Sequence, residues 1–245
     1  LAPVMLLALG SNDTANHSGM TLLEWIGIRR ESLVLATLLP LSLFVTLFLG
    51  PLVNYSYEYL AEENGVPDGL IDFLVKFFPN VPYTKEERLR NLLVAPVAEE
   101  FCFRACMAPL LKSAGLSNTA TIICGPLFFG VAHLHHAIDH VRNGYSISKA
   151  LQIVFFQLLY TSFFGGLEMF VFLRTGHLVS ISLIHMWCNM LGLPPVGFLN
   201  RGNRMYKYRR QVGAAYLLGI AGFCIGLYPA TNPNIYQSEL WALTR

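Results

Sequence analysis

LVLATLLPLSLFVTLFLG, residues 33–50, carries no charged side chain along its length. A helix that crosses a hydrocarbon core of roughly 30 Å needs about 20 apolar residues, each advancing the axis about 1.5 Å. The run therefore reads as a membrane span, and Pro40 is tolerable within it because neighbouring groups can satisfy the freed carbonyl. Moving outward, similar stretches recur. Residues 113–138 carry no formal charge but contain Gly125-Pro126 and three histidines, which predicts a span with a broken or kinked start and a chemically active end. Residues 150–167 are uncharged and continue through Glu168 to Leu173. One more span is expected within residues 175–200. The last is residues 211–230, where Gly213, Gly219, Gly222 and Gly226 thin the surface for close helix contact. About six spans are predicted, counting the charged stretch 91–111. Residues 1–9 are too short to cross, and a chain beginning at Leu without Met implies an earlier piece.

Composition agrees. Of 245 residues, 54% are hydrophobic and 13% charged, about half the charge that a soluble surface carries. A net charge of +2 excludes a strongly basic nucleic-acid binder. Five cysteines scattered through apolar stretches exclude a secreted disulfide framework. The densest basic loop, Arg201, Arg204, Lys207, Arg209 and Arg210, holds no acid and is placed in the cytosol. The acceptor-like triplets at Asn12, Asn16 and Asn54 decide nothing about topology. Residues 70–78, bracketed by turn signals, are expected to form an interfacial or packed helix rather than a span. No internal repeat suggests the paired halves of a transporter.

Within residues 91–111, Glu99, Glu100 and Arg104 interrupt an otherwise membrane-like helix. Burying an unpaired charge is costly, so such groups face a protein interior or a wet cavity. Glu100 and Arg104, four apart, share a helix face and can pair, which leaves Glu99 the freer base. The same charges also suit an ion-paired knot that only holds two helices in register. His133 and His136 fall on one helix face, with His135 about opposite His133, while His185 and Asn189 lie four apart in another helix. For His133, His135, His136 and His140, a satisfied core position competes with a chemical role.

A carboxylate, two histidines and an amide meet the needs of water-driven acyl transfer: a base for water, and fixed donors where the oxyanion develops. Neither G-x-S-x-G nor H-E-x-x-H is present. Zinc held by Glu99, His133 and His185 is an open alternative.

These residues stand in three motifs: Glu99-Glu100-Phe-Cys-Phe-Arg104, Phe129-Gly-Val-Ala-His133 and His185-Met-Trp-Cys-Asn189. Together with Arg174-Thr-Gly-His177-Leu and His133-Leu-His135-His136, the sequence resembles the type II CaaX prenyl endopeptidases, the Ras-converting enzyme family, within the wider CaaX-protease and bacteriocin-processing group. The resemblance runs over residues 91–192. It implies one integral-membrane protease domain, 1–245, with an all-α, polytopic transmembrane bundle of about seven or eight helices. The family's catalytic cavity opens to the cytosol and sideways to lipid, in the endoplasmic reticulum membrane.

The implied activity is removal of the last three residues from farnesylated or geranylgeranylated CaaX proteins, Ras-like small GTPases among them. By the same resemblance, Glu99 activates water with His133, His185 and Asn189 stabilise the oxyanion, and Glu100 and Arg104 support Glu99. No cofactor is implied, and zinc is the alternative. Phe155, Phe156, Tyr160, Phe163 and Phe164 are candidates to line a prenyl cleft, although ordinary helix packing explains such a stripe as well. A metalloprotease with the same substrates, and a non-enzymatic transporter or scaffold for lipidated tails, are the rival readings.

Overall fold

In lipid a backbone has no hydrogen-bond partner but itself, so apolar runs close their N–H and C=O groups within helices. The computed structural model describes residues 19–61, 67–82, 84–132 and 135–243, apart from the side chains of residues 129, 132, 135 and 136. All regular structure among them is helical. Helices of eight or more residues are α1 (Leu33–Leu47), α2 (Leu49–Ala61), α3 (Leu70–Phe77), α4 (Asn118–Ala132), α5 (His135–Arg142), α6 (Ile147–Thr175), α7 (Leu178–Leu191) and α8 (Arg209–Ala230). Two compact units are distinguishable: Glu99–Ile181 with the segments ending at Leu33 and starting at Pro233, and Val34–Ala98 with Ser182–Asn232.

In the first unit, α6 is the central element. Ser146 caps its start by accepting from the Lys149 N–H at 3.3 Å. Gly176, at φ 66°, ends it in the left-handed conformation that only glycine adopts without strain, and its N–H reaches Phe172 O at 2.7 Å. α4 packs tightly on α6 because small residues face it: a Cβ at Gly125 would lie 2.6 Å from Met169 Cε, and one at Gly165 would lie 3.1 Å from Pro126 Cβ. The C-terminal segment clamps the C-terminal end of α6. Ser238 Oγ donates to Leu173 O at 2.9 Å, and the Arg174 guanidinium lies 4.9 Å from the Trp241 ring and 5.1 Å from Phe170.

The second unit packs α8 along α1 and α2. Glycines again set the separation, since a Cβ at Gly219 would fall 2.6 Å from Thr46 O and one at Gly226 2.9 Å from Leu43. Phe44 meets Phe223 edge-on at 5.4 Å. At the start of α8, buried Phe198, Met205 and Val212 form a small core, and Tyr57 stacks on Tyr208 at 4.0 Å. The remainder of α7 joins this unit through Tyr55 Oη donating to Leu191 O at 3.1 Å and Phe78 against Trp187 at 5.8 Å.

The expected seven or eight membrane-crossing helices are not found. Among the described residues, two helical stretches are long and apolar enough to cross, Ile147–Thr175 and Arg204–Ala230. A third is obtained if α1 and α2, bent by 67° at their junction, count as one span. The correction has a local cause: apolar runs continue through turns that break the helix. Run 113–138 is split by the turn before Asn118, leaving α4 with 15 residues, roughly 22 Å at about 1.5 Å per residue. α7 has 14 residues, and α3, with 8, is not a span, as expected. By contrast, α6 has 29 residues and contains the whole predicted run 150–173.

Candidate active site

The stretch from Lys85 to Ser113 is helical throughout but alternates α and π windings: Arg90–Val94 and Phe101–Cys106 are π-helical, with Ala95–Glu100 between them. π-turns admit an extra residue into the helix and recur at functional sites. Glu99 and Glu100 end the α-helical part, and Arg104 lies within the second π-turn. Arg104 Nη1 donates to Glu100 Oε1 at 2.8 Å, the pairing expected from their spacing. Glu99 is half-buried.

The partner missed by the sequence reading is Glu168. From α6 its Oε2 accepts from Arg104 Nη2 at 2.7 Å, and the side chains of Glu100, Arg104 and Glu168 are 0%, 1% and 5% exposed. Its signal was already visible as a lone carboxylate inside a span, a position that demands a partner. Gly165, one turn earlier, makes room for the guanidinium, since a Cβ there would lie 2.9 Å from Nη2.

His185 and Asn189 are both half-buried on α7 in the second unit, one helical turn apart. Asn189 Nδ2 donates to the Asn91 carbonyl at 3.1 Å, so the first π-turn orients its amide. His133, needed by both the metal-free and the zinc readings, lies outside the described residues. The side chains of His135 and His136 lie outside them too; His140 packs edge-on against Tyr145 at 5.6 Å. Of the aromatic candidates on α6, Phe155, Phe156 and Phe163 point outward and are exposed, whereas Tyr160 and Phe164 are half-buried with rings 4.8 Å apart. Leu151, Phe155, Leu159 and Phe163, spaced by four, form an exposed apolar ridge suited to lipid.

Fully buried His177 lies in the link between α6 and α7. Burial chiefly, and Arg29 next, hold its imidazole below the usual histidine range, while the Glu31 backbone and carboxylate pull the other way.

Helices long and apolar enough to cross a membrane, with a sealed carboxylate–guanidinium cluster inside the first unit, define a helical membrane protein with ionisable groups in its interior. The model of the family described as "Type II CAAX prenyl endopeptidase Rce1-like" matches residues 87–191. The chain is 38% identical to human CAAX prenyl protease 2 over 239 residues, 97% of this chain and 70% of that protein. It is 37% identical to the protein of that name from Arabidopsis thaliana, covering 87% of this chain and 69% of the relative. A probable CAAX prenyl protease 2 of Schizosaccharomyces pombe is 40% identical over 62% of this chain and 56% of its own length. No solved structure matches. The chain belongs to the type II CAAX prenyl endopeptidase, Rce1-like, family, and it is a membrane enzyme of that family.

Proposed function

We propose that the protein is an intramembrane endopeptidase of the endoplasmic reticulum that removes the C-terminal tripeptide from farnesylated or geranylgeranylated CaaX proteins, Ras-like small GTPases among them. The observation that carries this reading is the family match over residues 87–191, which contains all three motifs and the buried Glu100–Arg104 pair. A prenyl tail prefers hydrocarbon, so the membrane supplies part of the affinity while the peptide end enters from the cytosolic side.

In this reading Glu99, assisted by His133, takes a proton from water as the water oxygen attacks the scissile carbonyl carbon. His185 and Asn189 donate to the oxyanion of the tetrahedral intermediate. The C–N bond then breaks, the proton passes to the departing amine of the tripeptide, and the prenylated cysteine is left with a new carboxylate. Glu100 and Arg104 hold Glu99 in place. This chemistry uses no metal. Zinc on Glu99, His133 and His185 is the competing scheme, favoured only if activity is lost with bound zinc and restored by zinc alone. Mass analysis of a farnesylated CaaX peptide tests the proposal: loss of the last three residues is expected, whereas binding without cleavage points to a transporter or scaffold.

A further inference from the structure

Of the three side chains in the buried cluster, Glu100 and Arg104 come from the Glu99 helix, and Glu168 reaches in from α6. The Glu100–Arg104 pair alone would be neutral. Adding Glu168 brings a second carboxylate into a place where charge is expensive. A purely structural clamp between helices would be served as well by apolar side chains, which carry no such penalty. Retaining the extra carboxylate therefore points to a job that packing does not do.

Geometry shows what the job is. Arg104 lies in the π-turn Phe101–Cys106 that follows directly on Glu99 and Glu100. A π-turn is an irregular winding that persists only where surrounding contacts over-determine it. Glu100 fixes one end of the guanidinium from within the same helix, and that contact moves with the helix. Glu168 Oε2, 2.7 Å from Nη2, fixes the other end from a separate element, and Gly165 leaves the gap through which it does so.

We infer that Glu168 is a positioning residue: through Arg104 it pins the π-turn against α6 and so sets the rotation at which Glu99 is presented. The inference rests on the peptidase reading for its kinetic consequence, but not for its structural one.

The test uses the full chain reconstituted in lipid, with Glu168→Gln, which keeps shape and an acceptor but removes charge, and Glu168→Asp, which keeps charge but shortens the reach. On a farnesylated CaaX peptide, Glu168→Gln is expected to lower kcat about tenfold or more with little change in KM, because a displaced base misses the reacting water. Glu168→Asp is expected to recover part of that loss. An unchanged kcat per folded molecule, or a loss carried wholly by KM, overturns the inference.

The second measurement needs no turnover: the rate at which a hydrophobic carbodiimide labels Glu99, read by peptide mapping. Labelling that differs between wild type and Glu168→Gln supports the inference, and identical labelling overturns it. Should the wild-type chain not cleave, the peptidase reading fails while the labelling result still decides the role of Glu168.

Discussion

Arg104 on the motif helix and Glu168 on α6, 64 residues apart in sequence, meet through Nη2 and Oε2 at 2.7 Å with both side chains almost fully buried. The contact makes Arg104 the shared counter-charge of two carboxylates. Arg104→Met would leave both Glu100 and Glu168 in the interior without it, and breaking a buried pair in this way costs about 3–5 kcal/mol. Unfolding of the variant in mixed detergent should shift by that amount, and more than for Glu168→Gln. Equal stability of wild type and Arg104→Met would contradict the arrangement.

Helix separation in the second unit depends on glycine. Gly219→Val introduces atoms where Thr46 O already lies 2.6 Å from the Cβ position, so overpacking should cost about 1–3 kcal/mol. Gly213 has nothing within 4 Å of its Cβ position, so Gly213→Ala should not lower the thermal midpoint and, by helix propensity, should raise it slightly. Thermal denaturation in detergent checks the contrast.

His177 sets a pH dependence. Its folded-state value is depressed below the ordinary 6.5, so the unfolded chain takes up a proton first as pH falls. The neutral, buried ring contributes its full stability above about pH 6.5, and the contribution is lost as pH drops from there through the lower folded value. Thermal midpoints measured between pH 7.5 and 5.5 should fall for wild type, and the fall should be smaller in His177→Leu. A variant with the same pH slope as wild type would remove His177 from this role.

In the proposed mechanism Asn189 donates to the oxyanion, and its amide is oriented by the Asn91 carbonyl. Asn189→Ala should lower kcat on a prenylated peptide by about 10²–10³ while KM changes little, as loss of a donor used only in the transition state does. A raised KM at unchanged kcat would assign the amide to substrate binding.

Much of this was legible in the sequence, for definite reasons. The largely apolar run 150–173 forms one continuous helix because no turn-forming residue with a required backbone conformation lies inside it, and Gly176 stops it. Glu100 and Arg104 pair because four-residue spacing is a local property of helices. Two things were not legible. Hydrophobicity reports burial or lipid contact rather than helix continuity, so run 113–138 counted as one span although Gly115, at φ 85°, turns the chain before Asn118. The bend of 67° after Leu47 is hidden for the same reason. Glu168 could be flagged as a charge in need of a partner, but pairing across 64 residues depends on how α6 packs, and local spacing carries no such information.

The most direct measurement is cleavage of a farnesylated CaaX peptide by the reconstituted chain and by Glu99→Gln, followed by mass analysis. The account predicts that wild type yields the peptide shortened by three residues and that Glu99→Gln, folded to the same extent, yields none. Shortened product from Glu99→Gln at the wild-type rate would contradict it.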